Sequence, residues 1–208
     1  DWALDPDKFP HGLLPVSRAL RKLGMQLGIW FEFEVTTSGA RVYEKDYDSW
    51  HLTRADSVIV TGDGRSFWDF RKPEVLTYLK EKVLRLIQEN EIGYLKVDYN
   101  GSIGIGCDGA ESLGEGLRQQ MQAVRDFFLL LRRECPSLVI ENCSSGGHRL
   151  EPSMMDITAL SSSTDAHECL DVPIITANTD LLILPRQNFV FCTLDHSHDL
   201  RRMRYCIS

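Results

Sequence analysis

Short apolar runs alternate with helical stripes along most of the chain. Val16, Leu20 and Leu23 recur on one helical face and predict a helix over Pro15 to Leu23, with Gly24 as its stop. Met25 to Phe33 reads as a buried strand, followed by a polar, turn-rich stretch from Thr36 to Arg65. Phe67-Trp68-Asp69-Phe70 predicts a second short strand. Pro73 opens the next helix at a position where its missing N–H does no harm, and Val75, Leu79, Val83 and Leu86 carry that helix to about Glu89. The run Ile92-Gly93-Tyr94-Leu95 leads a strand ending at Asp98, and a glycine-rich loop extends from Gly101 to Gly116. Leu117, Met121, Val124, Phe128 and Leu131 predict a long helix from Glu115 to Arg133. Leu138 to Cys143 is the next strand, with weaker strand signals at Ile157 to Ser161 and Asn188 to Thr193.

Strand, helix, strand with short connections is the pattern of parallel βα units. Six strands would also suit an open doubly wound sheet. Two features favour a (β/α)8 TIM barrel. Polar, potentially reactive residues end successive strands: Glu32 and Glu34, Asp69, Lys96 and Asp98, Glu141 to Cys143, and Asp165. In barrels that rim carries the chemistry. No glycine-rich dinucleotide fingerprint follows the first strand. A complete barrel takes about 250 residues, so six strands in 208 residues lead us to expect an incomplete barrel. On this reading residues 1–208 form a single partial catalytic domain, with the first two βα units upstream.

Composition narrows the function. A net charge of −7, from 23 Lys+Arg against 30 Asp+Glu, argues against a nucleic-acid surface, which needs a basic stripe. Arg201, Arg202 and Arg204 form the only tight basic cluster and read as a solvated helix face. No segment approaches the ~18 apolar residues of a membrane span. Six cysteines, Cys107, Cys135, Cys143, Cys169, Cys192 and Cys206, show no CxxC pairing. They suit free thiols in a reducing compartment, hence a cytoplasmic expectation. His148, His167, His196 and His198 lack the spacing of a metal site, and no metal or cofactor is expected.

The most informative stretch is Lys96-Val97-Asp98-Tyr99-Asn100. Residues i and i+2 of a strand point to the same face, so Lys96 and Asp98 share one environment. That arrangement suits either a structural ion pair or a functional one, since both perturb the groups involved.

Five segments, in order, resemble the melibiase family, the retaining α-galactosidases of glycoside hydrolase family 36. They are Phe9-Pro10-His11-Gly12-Leu13 with Leu23 to Glu32, then Trp68-Asp69-Phe70-Arg71-Lys72-Pro73-Glu74-Val75, then Tyr94 to Asn100. Glu141-Asn142-Cys143-Ser144-Ser145-Gly146-Gly147-His148-Arg149 and Ser163-Thr164-Asp165-Ala166 complete the set. The resemblance implies a nucleophile at Asp98 and an acid/base at Asp165, although a shifted alignment would put Ser162 at that step. It implies substrate contacts from Trp30, Lys96, Asn100, Cys143, Gly146 and Arg65, with an α-galactoside as the small-molecule partner. A homo-oligomer of the full-length protein is compatible with it. Phe33 stands where the family has proline, Thr164-Asp165 replaces Ser-Asp, and the family's paired aspartates of the second strand have no counterpart.

Retaining hydrolysis needs two carboxyl groups about 5–5.5 Å apart, one nucleophilic and one acting as acid and then base. Lys96 beside Asp98 is expected to keep that carboxylate ionised. Transglycosylation would differ only in whether water or a sugar hydroxyl attacks the intermediate. Two rivals remain at this stage. One is an enolase-type enzyme with Lys96 as base and Asp98, Glu141 and Asp165 holding a divalent cation. The other is a non-catalytic carbohydrate-binding scaffold.

Overall fold

The computed structural model describes residues 2–40, 47–166, 170–191, 200, 201 and 204. It divides into two compact units, Asp1–Leu95 with Gly101–Leu138, and Lys96–Asn100 with Val139–Ser208. His167, His196, His198, Cys169, Cys192, Cys206, Arg202 and the end of the Asn188–Thr193 strand lie outside the described residues.

The first unit opens with α1 (Leu14–Lys22), which has Pro15 in its first turn and ends before Gly24, whose φ of +75° closes the helix. The face it buries is not the expected one: Val16 and Leu23 are exposed, and Leu13 and Ser17 are inside. A polar anchor sets this orientation. Ser17 Oγ donates to the carbonyl of Glu91 at 2.9 Å, and Arg21 pairs with the Glu91 carboxylate at 2.7 Å.

Strand β1 (Gly28–Phe31) is shorter than the predicted Met25–Phe33, and Met25 and Trp30 are about half exposed. It neighbours β6 (Tyr94–Val97). Between them come β2 (Val35–Thr37), a 3-10 turn at Tyr47–Trp50, β3 (Thr53–Arg54), β4 (Ser57–Val58) and β5 (Arg65–Phe67). These pair as two antiparallel ribbons, β2 with β5 and β3 with β4. The Phe67–Phe70 segment is therefore not a strand of the large sheet, contrary to the sequence expectation. Its backbone finds other partners: Trp68 N–H donates to Glu34 O, Asp69 N–H to Trp50 O, and Phe70 N–H to Gln120 Oε1. Gln120 Nε2 returns a bond to Trp68 O at 2.9 Å, so one buried amide satisfies both sides of the segment.

The Pro73 helix runs as α2 (Pro73–Leu79), a π-turn at Lys80–Leu84 and α3 (Arg85–Glu89). The π-turn widens the helix by a fraction of a residue per turn. That moves the buried stripe from the expected Leu86 to Ile87, after Val75, Leu79 and Val83. Helix α4 (Leu113–Glu134) starts at Ser112, whose Oγ accepts from Glu115 N–H at 3.1 Å. It buries Val124, Phe127, Phe128 and Leu131. Phe33 enters this layer with no exposed surface, its ring 5.2 Å from Phe127 and 5.5 Å from Phe128. The ring that replaces the expected proline is thus a core filler.

The second unit begins within β6 at Lys96. Strand order there is β6, β7 (Val139–Asn142), β8 (Leu160–Ser162), β9 (Asn188–Phe189). β7–β8 and β8–β9 are parallel, in the registers Glu141↔Leu160 and Ser161↔Asn188. Two helices, α5 (Pro152–Met155) and α6 (Asp171–Thr179), connect them. Among the described residues no helix is long and apolar enough to cross a membrane.

Candidate functional site

Asp98 leaves the end of β6 with only 8% of its surface exposed. Its Oδ1 accepts from the Tyr99 N–H at 2.9 Å and from the Ser145 N–H at 3.4 Å, and its Oδ2 accepts from Asn100 Nδ2 at 2.9 Å. Asn100, expected as a substrate contact, therefore also holds the carboxylate. Its own Oδ1 accepts from Ser145 N–H at 3.0 Å and Ser145 Oγ at 2.8 Å. Serine at 145 pays for this with a left-handed backbone, φ +45°.

The loop after β7 is fixed at its start by two bonds. Cys143 N–H donates to Val97 O at 2.8 Å, and Ser144 Oγ donates to Tyr99 O at 2.8 Å. Cys143 is buried, which pushes its thiol up, and the neighbouring Asp98 charge adds to the effect. Gly146, at φ +79°, lies against the chain of the next strand's extension: a Cβ there would stand 2.7 Å from Asp165 N and 3.0 Å from Thr164 Cα. Only glycine permits that approach. Asp165 itself is exposed, in a turn where Ala166 N–H donates to Thr164 Oγ1 at 2.9 Å. Ser145 and Gly146, adjacent in sequence, so touch Asp98 and the Asp165 backbone respectively.

The expected Lys96–Asp98 pairing needs correction. Lys96 Nζ donates to Glu141 Oε1 at 3.1 Å and to Ser162 Oγ at 2.9 Å. Burial pulls the ammonium down, but the Glu141 bond and charge outweigh it and raise Lys96 above its ordinary value; Asp98 contributes last. The same-face rule within β6 was sound, but a carboxylate on the neighbouring strand took the lysine. Ser162, the shifted-alignment candidate, is fully buried and hydrogen-bonded to Glu141. The sequence marks Glu141 as a strand-end carboxylate and a candidate cation ligand near Lys96, but no local pattern gives its bonds to Lys96 and Ser162.

Trp30 and Arg65 belong to the first unit. There they line a cavity of about 210 Å³ together with Trp2, Glu32, Trp68 and Tyr78. Arg65 pairs with Glu32 at 2.6 Å and Asp63 at 2.7 Å. Its bond to Asp63 raises the guanidinium, and the same bond holds Asp63 down at about 2. Glu32 is accordingly part of an ion-pair network. Trp68 is fully buried, and among the described residues its indole N–H has no hydrogen-bond partner. Asp69 is occupied by Arg71, which grips both carboxylate oxygens at 2.8 Å.

The divalent-cation set of Asp98, Glu141 and Asp165 does not assemble: among the described residues no three His, Cys, Asp or Glu side chains gather as such a site requires.

The chain is similar to known alpha-galactosidases over most of its length. Alpha-galactosidase 2 of Pediococcus pentosaceus is 31% identical over 189 residues, covering 89% of this chain and 26% of its own. An alpha-galactosidase of Escherichia coli is 28% identical over 171 residues, covering 82% of this chain and 24% of its own. The crystal structure of the GH36 alpha-galactosidase AgaA from Geobacillus stearothermophilus superposes with a TM-score of 0.78 at 25% identity, over 88% of this chain and 26% of that one. The chain thus spans about a quarter of the length of the curated relatives it matches. The Melibiase family model matches residues 1–191, and the chain belongs to the Melibiase family.

Proposed function

We propose that this chain carries the reaction centre of a retaining glycoside hydrolase acting on α-linked galactosides. The observation that carries the reading is the loop of residues 143–147, which has the Asp98 carboxylate on its Ser145 amide and the Asp165 backbone against Gly146. One short, doubly anchored loop thereby ties together two aspartates 67 positions apart. The names of the relatives supply the substrate class, an α-galactoside.

In the first step the Asp98 carboxylate attacks the anomeric carbon. The bond to the leaving oxygen breaks as Asp165 delivers its proton, giving a glycosyl ester on Asp98. In the second step Asp165 removes a proton from water, which attacks the same carbon and releases the sugar with its configuration retained. The donors on Asp98 fix the direction from which it attacks, and a fixed carboxylate needs little reorganisation. The exposure of Asp165 suits a group that must meet first a leaving group and then a water.

Lys96 supplies an N–H for a ring hydroxyl. Trp30, with Trp68 and Tyr78 around the same hollow, offers the flat apolar surface on which a sugar face packs. Arg65 offers a fixed cation in that hollow of the first unit; in the second unit, Cys143 and Gly146 serve as wall contacts beside Asp98. On the same reading the parallel strands of the sheet are part of a (β/α)8 barrel.

The test is Asp98→Ala in the full-length protein, assayed with p-nitrophenyl α-galactoside. Turnover should vanish while the protein stays folded; near wild-type turnover would overturn the assignment.

A further inference from the structure

Three neighbouring strands of the large sheet carry a polar cluster of which the reaction scheme uses only the lysine. Lys96 on β6, Glu141 on β7 and Ser162 on β8 meet in one place. The Glu141 side chain is only 3% exposed and Ser162 is wholly buried, while Lys96 keeps 28%. The bonding is directional. Lys96 Nζ donates to both partners, and Ser162 Oγ, accepting from the lysine, donates onward to Glu141 Oε1. An ammonium has three N–H donors, and among the described residues these bonds occupy two.

A carboxylate this deeply buried is costly unless its cation stays in place. Glu141 therefore demands the lysine as much as it holds it. Meanwhile the other nearby carboxylate, Asp98, is served by Tyr99, Asn100 and Ser145. Lys96 thus bonds to Glu141 and Ser162, and the Glu141 charge acts on it more strongly than that of Asp98.

We propose that Glu141 is a positioning residue: with Ser162 it fixes the Lys96 ammonium so that its third N–H is aimed at the substrate. This rests on the glycosidase reading for the substrate, but the Glu141–Lys96 coupling can be measured without any activity. The titratable groups whose charge reaches Lys96 are Glu141 and Cys143, from β7 and its extension, and Asp98, from its own strand.

The experiment follows the Lys96 side chain by NMR of protein carrying 13Cε-labelled lysine, with Lys96→Arg used for assignment. Glu141→Gln keeps the shape, removes the balancing charge and leaves burial in place, so the Lys96 titration midpoint should fall below that of the wild type. An unchanged midpoint would overturn the proposal. In the full-length protein, Glu141→Gln should raise KM for p-nitrophenyl α-galactoside about tenfold, with a smaller loss in kcat. Its alkaline activity limb should move to lower pH. If Glu141→Gln does not fold, Ser162→Ala removes one of the two anchors while keeping the charge, and should raise KM about threefold. Unchanged KM there would also overturn the proposal. A midpoint that falls in a protein whose Asp98→Ala variant remains active would leave the positioning intact and remove only the glycosidase reading.

Discussion

Gly146 and Asp165 approach so closely that a single added methyl at residue 146 would stand 2.7 Å from the Asp165 amide nitrogen. The backbone at Gly146 is also left-handed, φ +79°. Gly146→Ala is therefore expected to push the Asp165 turn outward. A displacement of about 1 Å at a reacting group costs roughly a hundredfold in rate. Kinetics of the full-length variant should show a loss of that order in kcat. Gly39→Ala, where nothing lies within 4 Å of the new carbon, should leave kcat unchanged. Equal losses in both would show that the contact with Asp165 does not matter.

The Asn100 clamp on Asp98 leads to a second expectation. Asn100→Ala removes the donor to Asp98 Oδ2 and the acceptor for Ser145. The loss of one charge-assisted bond is worth about 1.5–3 kcal/mol. A drop of about ten- to hundredfold in kcat is expected, together with a lower thermal stability, because half-buried Asn100 also anchors Ser145. A fall confined to KM would mean that Asn100 serves the substrate and not the carboxylate.

Phe33 tests the packing of the first unit. Its ring has no exposed surface and meets Phe70, Phe127 and Phe128. Phe33→Ala should cost about 3–5 kcal/mol in denaturant unfolding, the usual result of emptying so large a space. A change below about 1 kcal/mol would place the ring outside the cooperative core.

The start of α4 gives a pH dependence with a definite sign. Arg118, followed by Gln119, holds the Glu115 carboxyl down at about 2 from an ordinary 4.5. A carboxyl depressed on folding adds stability that is fully present above its unfolded value and is lost as pH falls through the folded one. The stability gap between the wild type and Glu115→Gln should hold above pH 4.5 and close between there and about pH 2. A gap that did not vary with pH would exclude the ion pair as its source.

Much of this was legible in the sequence because the long-period signals are strong. The stripes of α2 to α4 and the apolar runs of β6 and β7 sit close to where the pattern puts them. The ribbons β2–β5 and β3–β4 escaped because two- and three-residue strands of Thr, Arg and Ser have no period to detect. Phe67–Phe70 looked like a sheet strand because its composition is right; only the distant Gln120 amide reveals where its backbone bonds go. At the site, spacing within one strand brought Lys96 and Asp98 to one face. Which carboxylate the lysine takes depends on Glu141, 45 positions later, and on the order of the strands, which no local pattern records. In α1 the stripe of Val16 and Leu23 misled because Ser17, about 100° round the helix from Val16, forms a polar anchor with Glu91.

The most direct measurement is mass spectrometry of the full-length protein after reaction with an activated 2-deoxy-2-fluoro-α-galactoside, which forms the glycosyl ester but hydrolyses it slowly. The expected result is one fluorosugar per chain, on the peptide containing Asp98 and absent from Asp98→Ala. An ester on any other carboxylate, or steady turnover of ordinary galactosides by a protein that Asp98→Ala leaves active, would contradict the account.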